Sequence, residues 1–107
     1  MNSDMYVNGK LHGKFIGHYK GRISCEIGYW HGEKHGLCVT YCNGIVSTKM
    51  SFKHGILHGE RIMYHEGKIV SHELYVDGIS VHDFLAKPLN EDERLLLSIK
   101  HSVKFYE

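Results

Sequence analysis

Glycine recurs in this chain at a fixed step of 23 residues, and that step limits the possible folds more than any other feature. Gly9, Gly32, Gly55 and Gly78 form one column, Gly13, Gly36 and Gly59 a second, and Gly21, Gly44 and Gly67 a third. Other residue types keep the same step: His12, His35 and His58; Ile16, Val39 and Ile62; Ile23, Val46 and Ile69; and the aromatics Tyr6, Tyr29, Phe52 and Tyr75. A period this short is one supersecondary unit, too small to bury an apolar face alone, so its copies must stack.

Each unit reads as a β-hairpin. Lys20-Gly21, Asn43-Gly44 and Glu66-Gly67 sit midway between two extended runs, where paired positive φ angles match the twist of the strands. With Asn43-Gly44 as a two-residue loop, Tyr41 is expected to face Val46, Val39 to face Thr48 and Leu37 to face Met50. Alternation then gathers Val39, Tyr41, Met50 and Phe52 on one apolar side, joined by Tyr29 and Tyr64 from the neighbouring units. Arg22, Glu26, Lys49, Arg61, Lys68 and His72 are expected on the opposite, wet side. The His-Gly-x-x-His-Gly stretches at 31–36 and 54–59 read as compact reversals between hairpins, so all ten glycines of the three columns are assigned to turns.

From Pro88 the period changes. Asn90 suits a helix N-cap, Glu91, Asp92 and Glu93 suit the positive end of a helix dipole, and Lys100 and Lys104 suit the other end. Leu95, Leu96, Ile99, Val103 and Tyr106 form an apolar stripe at helical spacing. The expected organisation is a repeat array over 1–87, with units near 9–31, 32–54 and 55–77 and a partial unit at 78–87, followed by a capping helix over 88–107. The expected fold class is mainly β: a single-layer antiparallel meander of eight strands, its open end closed by that helix.

Thirteen basic against twelve acidic residues leave a formal charge of +1, which argues against nucleic acid as a partner. The longest apolar run near either end is Leu95-Leu96-Leu97, so neither a signal peptide nor a spanning helix is expected. Cys25, Cys38 and Cys42 are odd in number, which points to a reducing, cytoplasmic setting. Ten histidines invite a metal site, but equivalent ones stand two strands apart, roughly 9–10 Å, and no Cys-x-x-Cys pair occurs. No metal, cofactor or catalytic residue is assigned: the cysteines fall within strands, and no glycine-rich loop leads into a helix.

The run aromatic-x-x-Gly-x-x-x-Gly followed by Tyr-x-x-Gly, as in Phe52 to Gly59 and Tyr64 to Gly67, resembles the MORN repeat (membrane occupation and recognition nexus) over roughly residues 5–84. The strict form has Tyr-x-Gly before the aromatic, where this chain has Cys25-x-Ile27, Thr48-x-Met50 and Ser71-x-Glu73. It also has a further glycine where Phe15, Cys38 and Arg61 stand. The resemblance is to the divergent variant found in bacterial and large-virus proteins, some of them antitoxin components. It implies stacked 23-residue hairpins, and it brings in a virion setting and an antitoxin-like inhibitor of a partner as alternatives.

Function is expected from an arithmetic of layers. Eight strands extend nearly 40 Å at about 4.8 Å each, whereas one helix of about 16 residues covers only about 24 Å by 10 Å. Apolar surface left over on a sheet face marks an interface. The expectation is a non-enzymatic protein-binding or self-assembling scaffold, with Tyr29, Val39, Tyr41, Met50, Phe52 and Tyr64 as the binding face. The alternative is an anionic membrane surface bound through Arg22, Lys49, Arg61 and Lys68.

Overall fold

A computed structural model of the chain describes residues 6–105. Nine short strands are followed by one helix: β1 (Tyr6–Val7), β2 (Lys10–Leu11), β3 (Gly13–Tyr19), β4 (Arg22–Trp30), β5 (Glu33–Cys42), β6 (Ile45–Lys53), β7 (Ile56–His65), β8 (Lys68–Val76), β9 (Ile79–Asp83) and α1 (Glu91–His101). Strands β3 to β9 form one antiparallel sheet in chain order, and β1 pairs with β2 as a separate hairpin. The mainly-β meander is therefore present, but as seven strands plus two rather than a continuous eight. The break falls before Gly13, whose φ of 99° bends the chain between β2 and β3. Residues 1–5 of the expected array lie outside the described residues.

Every reversal is made the same way. Asn8-Gly9, Lys20-Gly21, His31-Gly32, Asn43-Gly44, His54-Gly55, Glu66-Gly67 and Asp77-Gly78 are two-residue turns with φ near 50° then 80°, the primed geometry that suits right-twisted strands. The turns alternate at intervals of 12 and 11 residues. The reversals between hairpins thus need only His-Gly or Asp-Gly, not the whole six-residue motif. Gly13, Gly36 and Gly59, expected in turns, lie within β3, β5 and β7 opposite Tyr29, Phe52 and Tyr75. Their positive φ angles bend strands instead of reversing them.

A bulge follows each hairpin tip. Tyr41 pairs with Val46 as expected, but Thr40 then pairs with Thr48, leaving Ser47 as an extra residue. Ser24 and Val70 are extra in the same way in the units on either side. One inserted residue moves everything beyond it to the other face. Val39 therefore pairs with Lys49, and Met50 pairs with Cys38. The row Ile16–Glu26–Val39–Lys49–Ile62–His72 lies on one face, and the row Phe15–Ile27–Cys38–Met50–Arg61–Glu73 on the other. Side-chain contacts agree: Arg61 reaches both Glu73 and the Met63 sulfur, while Lys49 lies over the Tyr64 ring.

A second irregularity sits in the first strand of each unit. Against Gly28 the partner strand places His35, Gly36 and Leu37, and a β-carbon on Gly28 would stand 2.4 Å from the His35 carbonyl oxygen. The residues 23 positions further on are Ser51, buried, and Leu74, completely buried. Side-chain size at this place grows toward the carboxy-terminus, where the helix-bearing segment lies. Leu74, Phe84 and Val103 make the core there, with Val76, Leu89, Leu97 and Phe105 packed around them.

Helix α1 is shorter than the expected 88–107. Asn90 caps it through its side chain, Glu93 returns the hydrogen bond to the Asn90 amide, and Ser102 ends it in the left-handed region. Its apolar stripe is also different. Leu97 faces the sheet, whereas Leu95, Leu96 and Ile99 are 58%, 67% and 71% exposed. Val103 packs from the extended tail after the helix, and Tyr106 lies outside the described residues. The segment lies on the sheet's face rather than along its last edge: the His101 carbonyl accepts a hydrogen bond from His58 in β7.

Candidate functional site

The six residues expected to share a binding face divide between two. Val39, Tyr41 and Tyr64 lie on the face that carries the C-terminal segment; Tyr29, Met50 and Phe52 lie on the opposite one. Val39 is buried, and the other five are half-buried. Both faces thus carry apolar and polar side chains together. The charges expected on one wet face divide in the same way, Lys49 going with Tyr64 and Arg61 pairing with Glu73 on the other side.

Tyr41 and Tyr64 remain together and hold equivalent positions. Each stands two residues before a turn pair and faces a β-branched residue, Tyr41 opposite Val46 and Tyr64 opposite Ile69. Between adjacent hairpin tips the sheet forms two shallow clefts. The first, about 390 Å³, is lined by Tyr19, Ile23, Tyr41, Arg22 and the Asn43-Gly44 turn. The second, about 300 Å³, is lined by Ile45, Val46, Ser47, Tyr64 and Glu66. Ile23 and Val46, Ser24 and Ser47, and Tyr41 and Tyr64 are each 23 residues apart, so one cleft is the other moved along by one unit. The Arg22 guanidinium donates to the Asn43 carbonyl at 3.1 Å, tying neighbouring tips together across the first cleft. The paired columns were visible in the sequence; that they enclose clefts follows from the bulges, which have no fixed sequence signature.

The histidine columns serve the backbone. His35 Nδ1 accepts the His54 amide and His58 Nδ1 accepts the Asp77 amide, each 19 residues on, so a ring from one unit holds the turn that opens the next. In the first unit the equivalent His12 Nδ1 is buried with no hydrogen-bond partner among the described residues. Three further contacts hold the C-terminal segment down. His58 Nε2 donates to the His101 carbonyl at 2.8 Å, His82 Nε2 donates to the Lys87 carbonyl at 2.7 Å, and His72 stacks on Phe84 at 4.1 Å. Beneath Phe84, His72 Nε2 also bonds Glu60, whose side chain is fully buried. Among the described residues no group of three or more His, Cys, Asp or Glu side chains is placed to hold a metal ion.

Cys25 is half-buried, Cys38 buried and Cys42 exposed. Burial pushes the Cys38 thiol above its usual range, against a smaller opposing pull from Lys34. Among the described residues, no helix is long and apolar enough to cross a membrane. Comparison with family models, with curated proteins and with solved structures finds no match to this chain.

Proposed function

We infer that the chain is a non-enzymatic protein-binding module of divergent MORN-like repeats, engaging its partner through the tandem clefts at Tyr41 and Tyr64. The observation that carries this is the duplication of the cleft: two half-buried tyrosines, each beside a β-branched residue, one unit apart on the same face. Two strands separate them, about 9.6 Å, close to the roughly 9.3 Å between same-side residues three apart in a polyproline II segment. Tyrosine supplies large contact area at little rotamer cost. An antitoxin-like inhibitor would be one form of such a binder. A membrane surface is the weaker reading, because Lys49 and Arg61 stand on opposite faces and do not combine into one basic patch.

The test compares Tyr41→Ala/Tyr64→Ala with Lys49→Ala/Lys68→Ala, in affinity capture of protein partners and in co-sedimentation with phosphatidylserine vesicles. The tyrosine pair is expected to lose the captured protein while keeping its fold, and capture is expected to survive about 0.5 M salt, where the screening length is only a few ångströms. Vesicle binding abolished by salt and by the lysine pair, with the tyrosine pair behaving as wild type, would overturn the proposal.

A further inference from the structure

We propose that two copies of this chain associate through α1, the helices lying antiparallel about a two-fold axis near Leu96. The evidence is independent of the clefts. Leu96 and Ile99 are the most exposed apolar residues of the helix, 67% and 71%, and with Leu97 turned to the sheet they are left largely uncovered among the described residues, while Leu95 borders the tail at Val103 and Phe105. Leu89, Leu96, Leu97 and Ile99 line one shallow groove, and its two charged members are Glu93 and Lys100.

Those two charges identify the occupant. They are seven residues apart, two helical turns or about 10.5 Å, with Leu96 and Leu97 midway between them. A second helix laid antiparallel about that midpoint places its Lys100 opposite Glu93 and its Glu93 opposite Lys100. The groove is complementary to itself, as a two-fold interface requires. A parallel copy would set like charges against each other.

The area fits a weak pair. Leu96 and Ile99 with the flanking Glu93 and Lys100 offer roughly 400 Å² per copy, about 800 Å² in total, below the range of stable interfaces and within that of weak, transient ones.

Sedimentation equilibrium from about 5 to 500 µM tests this, with circular dichroism confirming the fold of each variant. The wild-type chain should move from monomer to dimer across that range. Leu96→Asp should weaken association by at least tenfold at any salt concentration; the side chain is exposed, so folding is retained. Lys100→Glu should weaken it severalfold at low salt and recover at about 0.5 M, once the repulsion from Glu93 is screened. Tyr41→Ala/Tyr64→Ala should dimerise as wild type does, which separates this interface from the clefts. A chain that stays monomeric throughout, or dimers that survive Leu96→Asp unchanged, would refute the helix pairing.

Discussion

Replacing Gly28 with alanine isolates one steric requirement of the sheet. The added β-carbon would stand 2.4 Å from the His35 carbonyl oxygen and 3.6 Å from that of Leu37. Ordinary contact begins near 3.4 Å, so about 1 Å of movement is needed, and the obstructing atom is backbone held at a bulge. Overpacking of this kind costs about 1–3 kcal/mol. The lower chain entropy of alanine when unfolded returns about 0.4–1 kcal/mol. A net loss of about 1–2 kcal/mol is expected, against a total of roughly 5–15 kcal/mol for a domain of this size. Gly17→Ala is the matched control. Its β-carbon would meet the Cys25 sulfur at 2.7 Å, but that is the free end of a side chain that can rotate away. Urea unfolding followed by circular dichroism should show Gly28→Ala lowering the midpoint clearly and Gly17→Ala by less than half as much. Equal losses, or a neutral Gly28→Ala, would show that β5 does not approach β4 as described.

Gly44→Ala should cost about 1 kcal/mol or more in the same assay, because φ there is 80° and a β-carbon is strained in that region; a neutral result would remove the two-residue turn. At neutral pH iodoacetamide should modify exposed Cys42 well before Cys38, whose raised thiol holds less thiolate; peptide mass spectrometry reads the order, and equal rates would contradict the burial. Glu60→Ala and His72→Ala should each destabilise by about 1–3 kcal/mol, and the double variant by distinctly less than their sum, since each single change removes the same buried hydrogen bond between the two. Additive losses would mean that the two do not depend on each other.

What could be read from the sequence depended on distance from the turns. Asn43-Gly44 was legible because positive φ at both residues selects such pairs, and the partner nearest the turn, Val46 for Tyr41, followed from it. The pairing of Val39 and Met50 did not follow, because Ser47 sits in the apolar–polar alternation like any other strand residue and nothing in its chemistry declares a bulge. Tyr41 and Tyr64 could be placed together because both lie on the turn side of that bulge. Tyr29, Met50 and Phe52 lie beyond one, so alternation counted from the turn assigns them to the wrong face. In the helix, periodicity alone cannot say which of two apolar sides meets the sheet. Leu97 and the non-helical Val103 and Phe105 took the inner positions because the tail, not a longer helix, returns across β7.

The alternation of 12 and 11 residues between turns has a consequence for how such a chain can grow or shrink. Adding or removing a single strand would reverse the direction of everything downstream and put the bulges out of step, so viable length changes come in whole steps of 23 residues. The last unit is not exchangeable with the others, because Leu74, not glycine or serine, makes the seat for Phe84 and Val103. Duplication between Gly32 and His54 would lengthen the row of clefts and leave the carboxy-terminal seat untouched, whereas the same duplication after Gly55 would copy the seat without its occupant. Unit number is then the quantity this architecture leaves free, whereas the final unit and its tail are coupled as one piece.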